Sequence, residues 1–334
     1  RRTLHKVVSL VLSLALMLSA LTMSMSASGT NELAVWDGWT TTAPVDSDGD
    51  GIYEIGTAEE LAYIIKVSAG GGKSYKLTAD IYLNDITKIN WSTGEVEAGY
   101  TANSWYYDWG SNVPDFNGTI DGNYHTVYGL YYAENPPSYL LYHTGTALVP
   151  VVAENGTAAI YNLGVDYAYL NVETSASAFV AVSSAGSTVI IDNCFAGENV
   201  MLKAASTGAF YAYGRNAATG SITNSYSLAT TNSPTGRYGL IGTLWNTPYT
   251  FVVNNCYNAN GPVTTFPDSY YYVDANSTKN NYVTEQGDLT IGVVAVLSKT
   301  QMQGENALKN MGALNNYGNF YVTTDTYPAL SVFK

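Results

Sequence analysis

A period of 31 residues runs through the middle of the chain. Asn162, Asn193, Asn224 and Asn255 recur at that interval, and the residue two before each is aliphatic: Ile160, Ile191, Ile222 and Val253. A second column, fourteen residues before each Asn, holds Leu148, Phe179, Phe210 and Ile241. Two registers kept through four copies mark a stacked architecture, in which each unit buries its apolar face only against its neighbours.

The copies are made of strands and turns. Each contains short β-branched and aromatic runs, such as Thr188-Val189-Ile190-Ile191 and Phe251-Val252-Val253, broken by Gly, Asn, Ser and Asp. Helical repeats would need helix formers in half of every unit, and none has an apolar 3.6-residue period. An all-β parallel β-helix is therefore expected. Each unit makes one coil, and coils stack at about 4.8 Å so that each column points into a continuous core.

The cysteines and asparagines fit that geometry. Cys194 and Cys256 share a column two coils apart, about 9 to 10 Å between Cα atoms, which is beyond the roughly 7 Å a disulfide spans. Two buried free thiols are expected. The Asn column reads as a corner ladder, because Asn tolerates left-handed backbone and its amide bonds to the next amide in a stack.

Gly239-Leu240-Ile241-Gly242 followed by Val253-Asn254-Asn255-Cys256-Tyr257 resembles the GLUG-motif repeats of bacterial secreted and surface proteins. The segment from Phe116 to Val127, with Asn117-Gly118-Thr119-Ile120-Asp121-Gly122, is similar to an opening coil of that family. The likeness spans residues 36 to 333. Only one copy holds the full Gly-Leu-x-Gly; the others read Gly208-Ala209-Phe210-Tyr211, Ser177-Ala178-Phe179-Val180 and Thr146-Ala147-Leu148-Val149. The resemblance implies a right-handed parallel β-helix solenoid, adhesin-like and displayed outside the cell, with no shared catalytic residues.

In chain order, residues 1–27 read as a signal peptide: Arg1, Arg2 and Lys6 precede an apolar run from Val7 to Leu21, then Ser24, Ser26 and Ala27. The run is short for a membrane span, so no membrane insertion is expected after cleavage. The absent initiator Met suggests truncation by at least one residue. Without the signal, 11 basic residues face 27 acidic ones, a charge of −16, which disfavours nucleic acid as a partner.

Residues 28–83 are expected to cap the solenoid. Thr57-Ala58-Glu59-Glu60 is a capping box opening a helix from Ala58 to about Val67, which sets Leu61, Ile64 and Ile65 on one face. Residues 84–117 form an aromatic-rich insertion, 118–290 the coils, and 291–334 a second cap. There Ser298-Lys299-Thr300-Gln301 is a capping box for a helix to about Met311. Short helices thus cover both ends, where open coil edges would invite association.

Three constellations bear on function. Asp46, Asp48 and Asp50 with Gly51 match the first half of a calcium loop, but position twelve is Thr57 where a bidentate Glu is expected. Glu54, Glu59 or Glu60 could substitute, and a plain solvated turn is the rival reading. In the insertion, Trp105, Tyr106, Tyr107 and Trp109 offer ring faces of the kind sugars stack upon; packing over the first coil is the alternative. Asp115 and Asp121 are the one pair that could act as glycosidase carboxylates, although Asp121-Gly122-Asn123 is also an ordinary tight turn. No Gly-x-Ser-x-Gly, His-Glu-x-x-His, Cys-x-x-Cys or phosphate loop occurs.

The expected function is a secreted or cell-surface, non-catalytic protein binding polysaccharide or a host or cell-surface glycan. A polysaccharide-active hydrolase or lyase and a structural spacer of an envelope assembly are the alternatives.

Overall fold

In the computed structural model, strands one period apart lie side by side and parallel. The structure describes residues 33–105, 115–133, 145–215, 218–235, 238–245, 250–260, 281–284, 293–311, 314, 320–321 and 326–333. The expected signal segment, Tyr106, Tyr107 and Trp109 lie outside them. One parallel sheet runs through seven strands in sequence order: Ile52–Ile55, Lys73–Leu77, Gly118–Asp121, Thr157–Tyr161, Thr188–Asp192, Thr219–Thr223 and Thr250–Asn254. Within it Ile160, Ile191, Ile222 and Val253 stand opposite one another, each at most 1 % exposed. Further parallel sheets, including Val149–Val152, Val180–Ser183, Tyr211–Arg215 and Ile241–Trp245, close the coils. The fold is a parallel β-helix around one apolar core.

The stack begins before the repeat does. Ile52–Ile55 and Lys73–Leu77, expected within a cap, are the first two rungs of the seven-stranded sheet. Register places Ile52 beside Ser74, Lys73 beside Gly118 and Gly118 beside Ala158. These coils differ in length because a helix and the aromatic insertion interrupt them, so no 31-residue period marks them.

The helix Ala58–Lys66 forms with the expected reciprocal capping box between Thr57 and Glu60. Leu61, Ile64 and Ile65 close the core against Ile55, Leu77 and Trp36. Lys66, in the last turn, lies over the rings of Trp36 and Trp105 at 4.7 and 4.9 Å. Burial lowers its pKa to about 8, while the two indole faces attract the charged form and act against that shift.

At the other end Ser298 and Gln301 also form their capping box, but they open a 3-10 turn, Lys299–Met302. A separate helix, Gly304–Asn310, follows. The single helix expected here is broken because Gln303 is extended and Gly304 has a φ of 55°. This cap packs on an outward row of rings, Phe195, Tyr226 and Tyr257, stacked at 5.5 and 5.1 Å. Tyr257 is continued in register by Tyr282 of Asn281–Thr284, a step of 25 residues.

One column needs correction. Leu148, Phe179 and Phe210 are fully buried, with the two Phe rings 5.0 Å apart, but Ile241 stands opposite Tyr211. The Phe210 and Tyr211 amides both donate to Leu240 O, at 3.0 and 3.2 Å, so the register slips by one residue there. Both Leu240 and Ile241 are buried, so hydropathy cannot tell a spacing of 30 from one of 31.

Cys194 and Cys256 are fully buried thiols with no disulfide between them. The Cys194 amide donates to Ser225 Oγ, one coil on, at 3.0 Å. Each thiol donates to a backbone carbonyl of its own turn, Asp192 O at 3.3 Å and Asn254 O at 3.2 Å. Burial pushes both thiols up, Cys256 to about 12, so thiolate is scarce at neutral pH. Ellman's reagent is expected to leave the native protein unmodified and to titrate both thiols in denaturant. Fast reaction of the native protein would refute this placement.

Candidate functional site

The asparagine column builds one corner of the helix. Asn162, Asn193, Asn224 and Asn255 all have φ between 50° and 57°, the left-handed conformation expected of them. Asn193 Nδ2 donates to Asn162 Oδ1 at 2.7 Å, and Asn255 Nδ2 to Asn224 Oδ1 at 3.1 Å. Between these pairs the ladder breaks. Asn224 Nδ2 donates instead to Asp192 Oδ1 at 2.8 Å, and Asn193 Oδ1 is left without a partner. A carboxylate is the stronger acceptor and wins the amide.

That corner also accounts for Asp121. Its Oδ1 accepts from Asn162 Nδ2 and from the Asn123 amide, both at 2.9 Å, so it terminates the ladder. Asp115, beyond the other end of the strand Gly118–Asp121, interacts electrostatically with Arg215. Burial lowers the Arg215 pKa, and nearby Tyr213, Asp115 and Tyr211 act in the opposite sense. Asp121 is thus bonded within the corner, and Asp115 lies close enough to Arg215 to interact with it.

The acidic loop is closed by pairing of Val45 with Glu54. Carboxylate oxygens of Asp46, Asp48 and Asp50 converge within 4.8 Å of one another. Each also accepts a backbone amide: Asp46 from Gly49 and Gly51, Asp48 from Asp50, Asp50 from Ile52. The second half of a calcium loop does not assemble around them. Thr57 and Glu60 are used in the helix cap, and Glu54 accepts from the Ser47 amide at 3.0 Å. Three carboxylates without a bidentate Glu belong with weak sites. Calcium titration followed by calorimetry is expected to show binding no tighter than about 10⁻⁴ M, abolished by Asp48→Asn. A micromolar constant would mean that a further carboxylate joins.

In the aromatic insertion, Trp105 is core. It is 1 % exposed, meets Trp36 edge-on at 5.5 Å, and donates its indole N–H to Ala147 O at 3.1 Å. Its ring is closed to a ligand, which corrects the stacking role expected for it. Of the four expected stacking residues it is the only one described.

Residues 84–102 fold over the outward side of the coils. Ile89, Trp91 and Tyr169 form a buried cluster with Tyr131 and Met201. Trp91 is held by its indole N–H on Ile86 O at 2.8 Å and by edge contact with Tyr167 at 6.1 Å. Beside it a cleft of about 260 Å³ opens, lined by Asn90, Trp91, Glu198, Asn199, Met201 and Thr230 among others.

The far wall of the cleft is a bulge. Phe195 stands opposite Gly164, a step of 31, but Leu202 stands opposite Leu170, a step of 32. The extra residue falls in Gly197-Glu198-Asn199, and Asp166 holds it there by accepting from the Asn199 amide at 3.1 Å and its Nδ2 at 3.4 Å. Burial raises the Asp166 pKa, opposed by those hydrogen bonds. A Cβ on Gly197 would lie 2.2 Å from the Asp166 carboxylate, so any other residue there would push Asp166 off these bonds. Sequence reasoning marked the insertion but missed Glu198, Asn199 and Thr230. The one-residue excess between Leu170 and Leu202 was the available signal.

No known family model matches the chain, and no curated protein or solved structure matches it either. Among the described residues no helix is long and apolar enough to cross a membrane.

Proposed function

We propose that this chain is an exported β-helix protein of the GLUG-motif type, adhesin-like and non-catalytic, that binds glycan at a surface outside the cell. The observation that supports it most is the cleft beside Trp91. It stands on the outer flank of a rigid stack and is lined by an indole, amides, a carboxylate and a hydroxyl, the mixture by which sugar rings are oriented. The apolar N-terminal run supports export, and the acidic balance argues against nucleic acid.

The test is a panel of immobilised polysaccharides offered to purified residues 28–334, scoring retained protein and released sugar ends together. Retention without new ends supports the reading. Release of sugar ends would replace it with the polysaccharide-active enzyme and direct mutagenesis to Asp115 and Asp121. Absence of retention across a broad panel, with self-association instead, would favour the structural spacer.

A further inference from the structure

We infer that the Trp91 cleft is a site for a single non-acidic hexopyranose residue, such as the end of a glycan chain, and not for an acidic sugar; this rests on the glycan-binding reading above. Its size sets the first limit. At about 260 Å³ it falls just under the roughly 300 Å³ at which pockets begin to hold drug-sized ligands, which suits one sugar ring better than an oligosaccharide.

The rim sets the chemistry. Asn90, Glu198 and Thr230 are all exposed. Asn90 Oδ1 is fixed by the Ser92 hydroxyl at 2.7 Å and the Ser92 amide at 3.1 Å, while its Nδ2 donates to none of the described residues. Neither the Glu198 carboxylate nor the Thr230 hydroxyl bonds to any described residue. One donor, one strong acceptor and one hydroxyl thus stand uncommitted around half-buried Met201 and the edge of Trp91, which is 7 % exposed. A pyranose has the matching surface: hydroxyls around its edge and C–H groups on its face.

Charge separates the sugar classes. Among the described residues no Lys, Arg or His lines the cleft. The cations nearby are engaged, Lys203 on the Tyr169 ring and hydroxyl, Lys88 on Glu97 at 2.9 Å. Glu198 at the rim and Asp166 behind the bulge give the site a negative potential. A uronate or sialylated terminus would meet repulsion with no compensating cation.

The experiment uses residues 28–334 labelled with ¹⁵N and titrated with methyl glucoside, methyl galactoside, methyl mannoside, galacturonate and glucosamine. At least one neutral glycoside is expected to shift the Trp91 indole resonance, with galacturonate at least tenfold weaker. Thr230→Arg, which places a long side chain across the opening, is expected to abolish the shift. Glu198→Gln is expected to weaken binding about tenfold, as loss of one charge-assisted hydrogen bond implies. Both positions are exposed, so melting curves matching the unaltered protein will show that the fold persists. Galacturonate binding more tightly than glucosamine and every neutral glycoside, or binding indifferent to Thr230→Arg, would overturn the inference. Polysaccharide retention unchanged by Thr230→Arg would overturn the cleft and leave the glycan-binding reading standing; no retention by the unaltered protein would sink that reading itself.

Discussion

Ile191→Ala is expected to destabilise the protein by about 3 to 4 kcal/mol, within the range for deleting a fully buried aliphatic side chain. Ile191 has no exposed surface and stands in register between Ile160 and Ile222, so the truncated methyl groups leave a void shared by two coil-to-coil contacts. Each coil is tied to its neighbours by the strand ladder, which limits how far the backbone can close in on that void. The neighbouring Ile190 supplies the control. It lies on the outward, half-exposed side of the same strand, and because strand side chains alternate, its replacement by Ala should cost far less. Urea unfolding of the two variants measures the difference. If Ile190→Ala proved the more damaging, the register would be wrong by one residue and every inward column with it.

The parts of the fold that sequence reveals are those set by local or strictly periodic rules. Asn at four positions 31 apart announces a left-handed corner, and both capping boxes form because each involves only four consecutive residues. Failures occur where a choice depends on a neighbour in space. Leu240 and Ile241 are equally apolar, and only pairing with Phe210 and Tyr211 decides between them. The break at Asn193 arises because Asp192 competes for the Asn224 amide, which a column of identical asparagines does not foretell. Trp105 shows the same limit: composition gathers rings into a segment but does not say which ring turns inward. The cleft was hidden for a related reason. One wall comes from the insertion and the other from a single extra residue in a distant coil, so neither stretch is a motif by itself.

Asn84→Leu is expected to cost at least about 3 kcal/mol and to loosen the wall of the cleft. Asn84 is fully buried and uses its whole amide. Its Nδ2 donates to Asn103 O at 2.9 Å and Gly129 O at 2.7 Å, while Oδ1 accepts from the Asn103 amide at 2.6 Å and the Tyr100 hydroxyl at 3.2 Å. One side chain thereby pins the end of the insertion to the strand Thr126–Tyr132. The approach requires Gly129, which has a φ of 81° and whose Cβ would fall 2.6 Å from the backbone nitrogen of Asn84. Leucine preserves volume but leaves Gly129 O and both Asn103 backbone groups in the interior without their partner, and each buried orphan costs roughly 1 to 3 kcal/mol. Hydrogen exchange distinguishes this from a general loss of stability. Amides between Asn84 and Asn103 should exchange faster in the variant while those of Thr188–Asp192 keep their protection. Uniform acceleration would mean that the insertion unfolds only with the whole stack. Selective acceleration with loss of polysaccharide retention would place the binding surface on the insertion that Asn84 holds down.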